Sequence, residues 1–476
     1  MEKTLGMFYS ILKDYLVNST FHGLRFIAED GRHWTERLFW LVCCLLSWYG
    51  SAILVLSSWE SFQKNAISFV VETTYLDVKT SFPSISVCED DNMERIYSMA
   101  NEYFGPDHDC NLDEMLREIA FFKGSVYYIK EFCLSDDIPC PTKDYKKMSD
   151  EVRSPCKDIF KTCMWKNKTF DCCEHFVPLL TEWGVCYTLS PRTEVEGKTD
   201  HLKLVSSTKL GLGSIYLELL VPTKVFMHPE ADIPYYNTMT TEVVAGKAGI
   251  LKHLGISVID IENEPEVKSL SISQRDCRFP DENILTVTSV YSYSACVTEC
   301  RMREQLRTCN CTSHLMPYTD EKQHCDMKGI LCLSKYSEPM SVQKTPWGNK
   351  EGLDCPCLPG CEDPEFDTIE TIMTQLSDDM ENISVIEISM YRYPSERYKR
   401  NVVRGRLDLV VSMGGAAGLF VGASLLSFAE LFYFFTVRAC NTHTSKGSDR
   451  KPSPTVMVNP FQPRISKDYP YPTFKM

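Results

Sequence analysis

Two long uncharged stretches stand out in the pattern of hydrophobic and polar positions. They cover residues 38–59 and 409–429. Each is long enough for a helix that crosses about 30 Å of hydrocarbon, which takes roughly 20 residues. The first stretch begins too deep in the chain for a removable signal peptide, so we expect it to act as a signal anchor. The pattern therefore predicts two membrane spans, with both termini on the same side.

Between the spans, shorter patterns predict a domain of mixed α and β structure. The segments "SFPSISVCE" and "SIYLELLVP" and the alternating residues 385–390 are typical of strands, whereas "DEMLREIAFF" and "ACVTECRMREQL" are typical of amphipathic helices. The predicted segments are an N-terminal part (1–37), a first transmembrane helix (38–59), a cysteine-rich domain (60–406), a second transmembrane helix (407–437) and a tail (438–476). The tail contains several prolines and is expected to be extended or disordered.

Basic residues near the spans give conflicting evidence on orientation. Those before the first span and after the second favour cytoplasmic termini. They are Arg25, Arg32, Arg37, Arg438, Lys446, Arg450 and Lys451. Other basic residues crowd the opposite edge of the second span, and they are Arg397, Lys399, Arg400, Arg404 and Arg406.

The cysteines decide between these orientations. Of the 22 cysteines, Cys43 and Cys44 lie in the first span and Cys440 follows the second, which leaves 19 between the spans. This density indicates an oxidising compartment. Glycosylation sequons in the same region agree with an extracellular location, and they are Asn167, Asn310 and Asn382. We therefore predict a plasma-membrane protein with cytoplasmic termini, and the odd count predicts one free or intermolecularly paired thiol.

The densest group of cysteines favours a set of disulfides. Cys296 and Cys300 are four residues apart on a predicted helix, so both can bond to one neighbouring strand or loop. The segment "CPCLPGC" is the candidate for that strand. A zinc cluster is the alternative, because the same spacings can hold the metal. An extracellular location favours disulfides.

Composition limits the class of function. The net charge of −14 argues against nucleic acid as a partner. An acidic surface can concentrate cations, although it can equally be a solvated surface that keeps the protein soluble. The motifs HExxH, GxSxG and the P-loop are absent from the sequence, so we expect neither an enzyme nor a cofactor or metal site.

The second span contains small residues where an anchor would have leucine and valine. Gly414, Gly418 and Gly422 recur every four residues, which predicts one helical face. By spacing alone, close packing between helices explains this face. Asp408 and Glu430 bracket the span, and carboxylates at this depth normally face a cavity or a pore.

Polar groups in the same span favour a pore. Ser412, Ser424 and Ser427 supply hydroxyls, and small residues expose backbone carbonyls that can replace the water around an ion. An interruption of the helix is tolerated at this depth only where it lines water or protein. Glycine makes such an interruption least unfavourable.

The motifs together resemble the epithelial sodium channel/degenerin/acid-sensing ion channel superfamily over residues 20–437. They are, in order, "FHG", "FPSISVC", "GVCYTL", "YSYSACVTEC", "CNC", "CPCLPGC" and "GLFVGASLLSFAE". The segment "SQRDCRFPDE" looks most like the insect pickpocket branch. The resemblance implies a trimer with two transmembrane helices that flank a large, disulfide-rich α+β extracellular domain of finger, thumb and palm type.

The resemblance also implies roles for residues of the second span. Gly422, Ala423 and Ser424 match the selectivity filter, and Gly418 matches a position implicated in block by amiloride. Glu430 matches the acidic residue that follows the filter. The pore would then select sodium, which is the permeant ion rather than a cofactor.

Two further positions have roles in gating by resemblance. Val411 lies at the degenerin position, where bulky side chains tend to hold the pore open, so we expect partial spontaneous activity. His22 and Gly23 match the cytoplasmic His-Gly gating motif. Glycine permits backbone conformations that other residues avoid.

Disulfide pairs follow from the resemblance in the same way. In the thumb (about 277–361) they are Cys277–Cys361, Cys296–Cys357, Cys300–Cys355, Cys309–Cys332 and Cys311–Cys325. Elsewhere Cys88 should pair with Cys186, and Cys163 with either Cys172 or Cys173. The pairing of four other cysteines stays open, and they are Cys110, Cys133, Cys140 and Cys156.

The leading hypothesis is a sodium-selective, voltage-independent, amiloride-sensitive channel subunit that is gated through its extracellular domain. It would form a homotrimer or a heterotrimer with related subunits in lipid, and its stimulus is open. One alternative is a non-conducting or auxiliary subunit, and another is a purinergic-type channel with two spans. Two departures from the family are noted: residues 274–276 replace a tryptophan of the acid-sensing branch, and the tail has no PPxY motif.

Overall fold

The apolar stretch at residues 38–59 lies within a single helix of 31 residues, Trp34–Lys64, in the computed structural model. The structure describes residues 2–73, 79–133, 140–189, 202, 204–345, 348, 351–394, 396–438 and 440. The chain divides into two compact units. We call Met1–Trp59 with Arg406–Met476 the membrane-helix unit, and Glu60–Gly405 the disulfide-rich unit. Most of the predicted tail lies outside the described residues.

The described residues contain fifteen α-helices. In chain order they are α1 Glu2–Asn18, α2 Leu24–Ala28, α3 Trp34–Lys64, α4 Met93–Phe104, α5 Cys110–Ala120, α6 Tyr128–Phe132, α7 Tyr145–Val152, α8 Cys156–Ile159, α9 Cys172–His175, α10 Ile272–Arg275, α11 Tyr293–Cys309, α12 Met327–Lys335, α13 Ser337–Ser341, α14 Arg406–Val421 and α15 Leu425–Tyr433. A π-helical turn, Phe434–Arg438, follows α15.

The same residues contain fifteen strands. They are β1 Ile67–Glu72, β2 Thr80–Ser81, β3 Ser84–Glu89, β4 Phe160–Trp165, β5 Lys168–Phe170, β6 Phe176–Thr181, β7 Gly184–Leu189, β8 Val205–Ser206, β9 Ser214–Leu219, β10 Thr223–His228, β11 Val243–Ala245, β12 Ile250–Asn263, β13 Glu365–Gln375, β14 Ser384–Met390 and β15 Arg397–Val402. All of them belong to the disulfide-rich unit, which is therefore an α+β structure.

The strands form one sheet of eight, one of five and one of two. In the largest sheet, β12 is the central strand, because Leu251 pairs with Thr374 of β13 on one edge and with Val385 of β14 on the other. The β14 pairing is parallel and the β13 pairing is antiparallel. The smaller sheet has the order β11-β10-β3-β7-β6.

The main core is built from alternating strand residues, as the pattern predicts. On β9, Ile215, Leu217 and Leu219 are buried, and their neighbours are partly exposed. Successive strand side chains point to opposite faces, so this alternation places one face of β9 in the core. The predicted strands at β3, β9 and β14 and the predicted helices at α5 and α11 are all present.

The segment "CPCLPGC" is not a strand, which corrects one expectation. Residues 354–359 have no regular structure, and Gly360 makes only an isolated bridge with Arg278. Its cysteines still bond to α11, because Cys296 pairs with Cys357 and Cys300 pairs with Cys355. The third cysteine of the segment, Cys361, bonds to Cys277, so three disulfides hold this segment in place without a β-ladder.

The disulfide-rich unit contains nine disulfides. The thumb pairs and Cys88–Cys186 are those that the family resemblance implies. Cys163 bonds to Cys172, and the pairs that the sequence left open are Cys156–Cys173 and Cys133–Cys140. Every cysteine of the chain is described, and Cys110 is the one left unpaired between the spans, as the odd count predicts.

Candidate functional site

The predicted second transmembrane helix is interrupted at the residues expected to form the filter. Helix α14 ends at Val421, α15 begins at Leu425, and the two segments are bent by 66°. We call residues 422–424 the helix break. One helix of the described residues, α3, is long and apolar enough to cross a membrane alone, and α14 with its continuation qualifies only as a bent pair. The segment predicted as the second transmembrane helix, 407–437, thus consists of two helical parts, and its interruption lies in the glycine-rich stretch where the sequence makes one least unfavourable.

Gly422 ends α14 by adopting a left-handed conformation, with φ of 69°. This region of backbone conformation is sterically unfavourable for a residue with a Cβ, whereas glycine adopts it readily. Gly422 N donates to Gly418 O at 3.0 Å, and Ala423 N donates to Ala417 O at 3.2 Å. Because Gly422 lies outside the helix, it does not continue a helical face with Gly414 and Gly418, which corrects the predicted stripe of three glycines.

Ser424 begins α15 as its N-cap. Its Oγ accepts from Ser427 N at 3.1 Å, and Ser427 Oγ accepts from Ser424 N at 3.2 Å. This reciprocal capping box satisfies two donors that a helix start otherwise leaves without partners. The serine predicted for the filter therefore also fixes the start of the helix that follows the break.

The predicted gating motif lies directly against the helix break. His22 N donates to Val421 O, the last carbonyl of α14, at 3.0 Å. A Cβ added to Gly422 would lie 2.6 Å from Cδ2 of the His22 ring, so this close approach requires glycine. The sequence predicts both sets of residues but not their contact.

Gly23 also occupies a position that favours glycine. Its φ is 84°, and an added Cβ would lie 2.6 Å from Cys44 Sγ on α3. The Cys44 thiol donates to His22 O at 3.6 Å. The His-Gly pair is therefore held between the first apolar helix and the helix break.

Thr20 joins this site, although the sequence analysis missed it. Thr20 Oγ1 lies 2.9 Å from Glu430 Oε2 and 2.8 Å from Ser427 Oγ. Thr20 donates its single hydroxyl proton to Glu430 Oε2, so Ser427 is the donor to Thr20. Ser424 Oγ, 3.0 Å from Ser427 Oγ, is then the donor in that contact. The direction of this chain of hydroxyls follows from the acceptor role of the Glu430 side chain.

The remaining predicted pore residues lie along α14. Asp408 is in its first turn, and the Val411 side chain is 64% exposed in the single chain. A Cβ added at Gly414 would meet no described heavy atom within 4 Å, and one at Gly418 would meet only Ala423 O, at 3.8 Å. Close packing within this chain therefore does not explain these two glycines.

The predicted glycosylation sites are all exposed. Asn167 lies in the turn between β4 and β5 with φ of 60°, and Asn310 ends α11 with the same φ. Asn382 immediately precedes the segment that leads into β14. All three positions are sterically open to an attached glycan.

Gln274 is one of the residues that stand where the acid-sensing branch has a tryptophan, and it bonds to the end of α3. Gln274 Nε2 donates to Phe62 O, in the last turn of α3, at 3.1 Å. The carbonyls of a last helical turn have no partner within the helix. Ser271 N and Oγ hold the amide by donating to Gln274 Oε1 at 3.2 and 2.8 Å. A buried amide thus caps α3.

The chain is similar to known proteins over most of its length. Residues 15–434 match the family described as "Amiloride-sensitive sodium channel". The chain is 22% identical to "Sodium channel protein Nach" of Drosophila ananassae, over 91% of this chain and 88% of that protein. It is 23% identical to "Pickpocket protein 28" of Drosophila melanogaster, over 89% and 78%. It is 24% identical to "Acid-sensing ion channel 2" of Rattus norvegicus, over 89% and 85%.

Proposed function

Because this chain belongs to the amiloride-sensitive sodium channel family, we propose that it is a subunit of a sodium-selective, voltage-independent cation channel of the plasma membrane. In this proposal α3 is the first span, and α14 with its continuation is the second. Both termini lie in the cytoplasm. Three copies, or this chain with related subunits, surround one pore in which their helix breaks meet.

The helix break carries this proposal. The carbonyl end of α14 has partial negative charge, which favours a cation. Ser424 Oγ donates its proton within the chain of hydroxyls that ends at Glu430, so a lone pair is left for an ion. A ring of such oxygens can replace water around sodium.

Two positions on α14 are assigned to block and gating. Gly418 would contribute to amiloride binding, where its missing side chain leaves room for the blocker. Val411 would favour the open pore, and Asp408 would attract cations at its entrance. The Val411→Gly variant should lower basal current in expressing cells, and an unchanged basal current would refute this role.

Current recordings under ion substitution test the proposal. Expressing cells should show an amiloride-sensitive current that reverses near the sodium equilibrium potential. Ser424→Ala should reduce the sodium-to-potassium permeability ratio, whereas Ser424→Thr, which keeps a hydroxyl, should retain more of it. If the chain carries current only with a related subunit, and Ser424→Ala then leaves the permeability ratio unchanged, the chain has the auxiliary role instead. The absence of any sodium current under both conditions would reject the channel function.

A further inference from the structure

A cavity of about 430 Å³ lies within the disulfide-rich unit. Its walls come from the loop after α5, the turn between β6 and β7, and helices α11, α12 and α13. The apolar part of the lining consists of Phe122, Trp183, Tyr236, Met316, Leu333 and Met340. This volume and this aromatic lining are typical of sites for small organic molecules.

One side of the cavity, which we call its floor, is formed by Arg301, whose guanidinium is held in a buried ion pair with Glu182. Arg301 is 2% exposed and Glu182 is 1% exposed, and the guanidinium contacts both carboxylate oxygens. Arg301 also donates to Asn237 Oδ1 and, at 2.9 Å, to Met340 O. Since these charges neutralise each other, the floor does not require a charged ligand.

Two donors of the lining lack an acceptor within the described residues. Gln305 Oε1 accepts from Ser313 N at 3.0 Å, which fixes the orientation of the amide and leaves Nε2 without a hydrogen bond. The Gln305 residue is only 5% exposed. Trp183 Nε1 is buried and has no acceptor either. Because the indole nitrogen is enclosed by protein atoms, the Gln305 amide is the one of these two donors that can reach a molecule in the cavity.

The Tyr236 hydroxyl and the Lys123 ammonium of the lining already have partners, and the serine hydroxyls of the lining can rotate to donate or to accept. The Tyr236 hydroxyl donates to Phe122 O at 2.9 Å, and Lys123 pairs with Asp90 at 2.7 Å. Glu338, at the rim, is solvent-exposed. The Gln305 amide is therefore the lining group with a fixed and unpaired N–H donor, which requires an acceptor on the ligand.

We propose that this cavity binds a small aromatic molecule that carries a carbonyl or carboxylate acceptor. The ring packs among Phe122, Trp183 and Tyr236, and the acceptor takes the N–H of Gln305. A bound molecule would join the loop 122–125 to the helices of the thumb. Its role as a regulator of gating rests on the channel function proposed above, whereas its binding does not.

Fluorine NMR on the purified full-length protein in lipid nanodiscs tests binding without any current. The probes are 4-fluorophenylacetamide, 4-fluorophenylacetate and 4-fluorophenethylamine, which share a ring and differ in the polar end. We expect line broadening, reversed by excess unlabelled compound, for the amide or the carboxylate, and binding of the amine that is at least tenfold weaker. Binding of none of the probes, or equal binding of all three, would overturn the proposal.

Two variants place the binding in this cavity. Gln305→Glu keeps Oε1 and replaces the free N–H donor by an acceptor, so the preference should reverse towards the amine. Ser337→Trp fills the cavity from α13 and should abolish binding of all three probes, while the elution volume of the assembled protein stays unchanged. Unaltered probe binding in both variants would show that the probes bind elsewhere and would reject the site.

Discussion

The disulfide-rich unit and the membrane-helix unit are stabilised by different kinds of bond. Nine disulfides cross-link the first, and Cys277–Cys361 alone spans 84 residues of sequence. In the second, no disulfide joins the described residues, and the helix break is fixed by a few hydrogen bonds and by close contact at Gly422. Each such hydrogen bond contributes about 1 kcal/mol net.

This difference indicates different mechanical roles for the two units. Covalent cross-links keep a scaffold in one arrangement, because breaking them requires reduction. Weak bonds at the helix break can exchange partners at a cost close to thermal energy. In the proposed channel, the cross-linked unit would therefore transmit a stimulus, and the hydrogen-bonded break would be the part that rearranges.

The largest effect on the channel current is expected from Gly422→Ala. A left-handed conformation costs a residue with a Cβ about 1 to 2 kcal/mol, and the new methyl group would also contact the His22 ring. We expect current per surface channel to fall about tenfold or more, measured by whole-cell recording with surface biotinylation. Gly415→Ala is the control, because a Cβ there meets no described atom within 4 Å. Equal currents in both variants would contradict the requirement for glycine at the break.

Removing a long-range disulfide should have the largest effect on the free energy of unfolding. The Cys277→Ser, Cys361→Ser double variant should lower the free energy of unfolding by about 2 to 5 kcal/mol. The matched pair is Cys133→Ser with Cys140→Ser, whose bond closes a separation of only 7 residues. Loop-closure entropy predicts that this second loss is smaller by about 1 kcal/mol, because the Cys296–Cys357 bond inside the longer loop shortens its effective length. Thermal unfolding with equal losses would show that loop length does not set the stabilisation here.

Thr20→Val tests the weak bonds of the membrane-helix unit. The variant keeps the side-chain shape but removes the hydroxyl that joins Ser427 and Glu430. The variant loses about 1 kcal/mol of the hydrogen bonding that stabilises the orientation of Ser424. This loss predicts a roughly fivefold lower sodium-to-potassium permeability ratio. Thr20→Ser should restore it. If Thr20→Val and the unaltered protein have the same ratio, the chain of hydroxyls does not position the filter.

The smallest effect concerns the pH dependence of the disulfide-rich unit. Burial, and then the nearby charges of Asp232 and Asp367, raises the pKa of Glu242 to about 7. The folded state therefore holds this proton more tightly than the unfolded state, so the contribution to stability is present at pH values below about 4.5 and is lost as pH rises to about 7.

Thermal unfolding of the full-length protein at several pH values can measure this contribution. Glu242→Gln should flatten the decline in melting temperature between about pH 5 and pH 7.5. Glu370→Gln changes an exposed carboxyl on β13 and is the control. A decline that persists in Glu242→Gln would assign the pH dependence to other groups.

Much of the fold and of the candidate site follows from local sequence pattern. Strand alternation predicts β9 and β14, helical spacing predicts α5 and α11, and an uncharged stretch predicts α3. The order of motifs indicates the family and identifies Gly422, Ser424 and His22 as site residues. These signals are readable because each depends on residues that are close together in the chain.

Contacts between distant segments could not be read in this way. Thr20 and Glu430 are 410 residues apart, and nothing near Thr20 in the sequence indicates its partner. The Cys156–Cys173 bond could not be predicted for the same reason, because an odd number of cysteines shows that one is left over but not which cysteines bond to each other. In the sequence, Gln274 is only a departure from the family pattern, and its bond to Phe62 O is defined by the folded chain.

The sequence by itself determined that this chain has a long apolar helix, a cross-linked α+β domain and a glycine-rich segment suited to interruption. The tertiary structure decided where that segment breaks and what holds it: the left-handed Gly422, the His22 ring against it and the hydroxyl of Thr20 beside Glu430. Periodicity and composition record the environment of each residue along the chain. Hydrogen-bond partners and close approaches depend on three-dimensional distance, which only the folded chain defines.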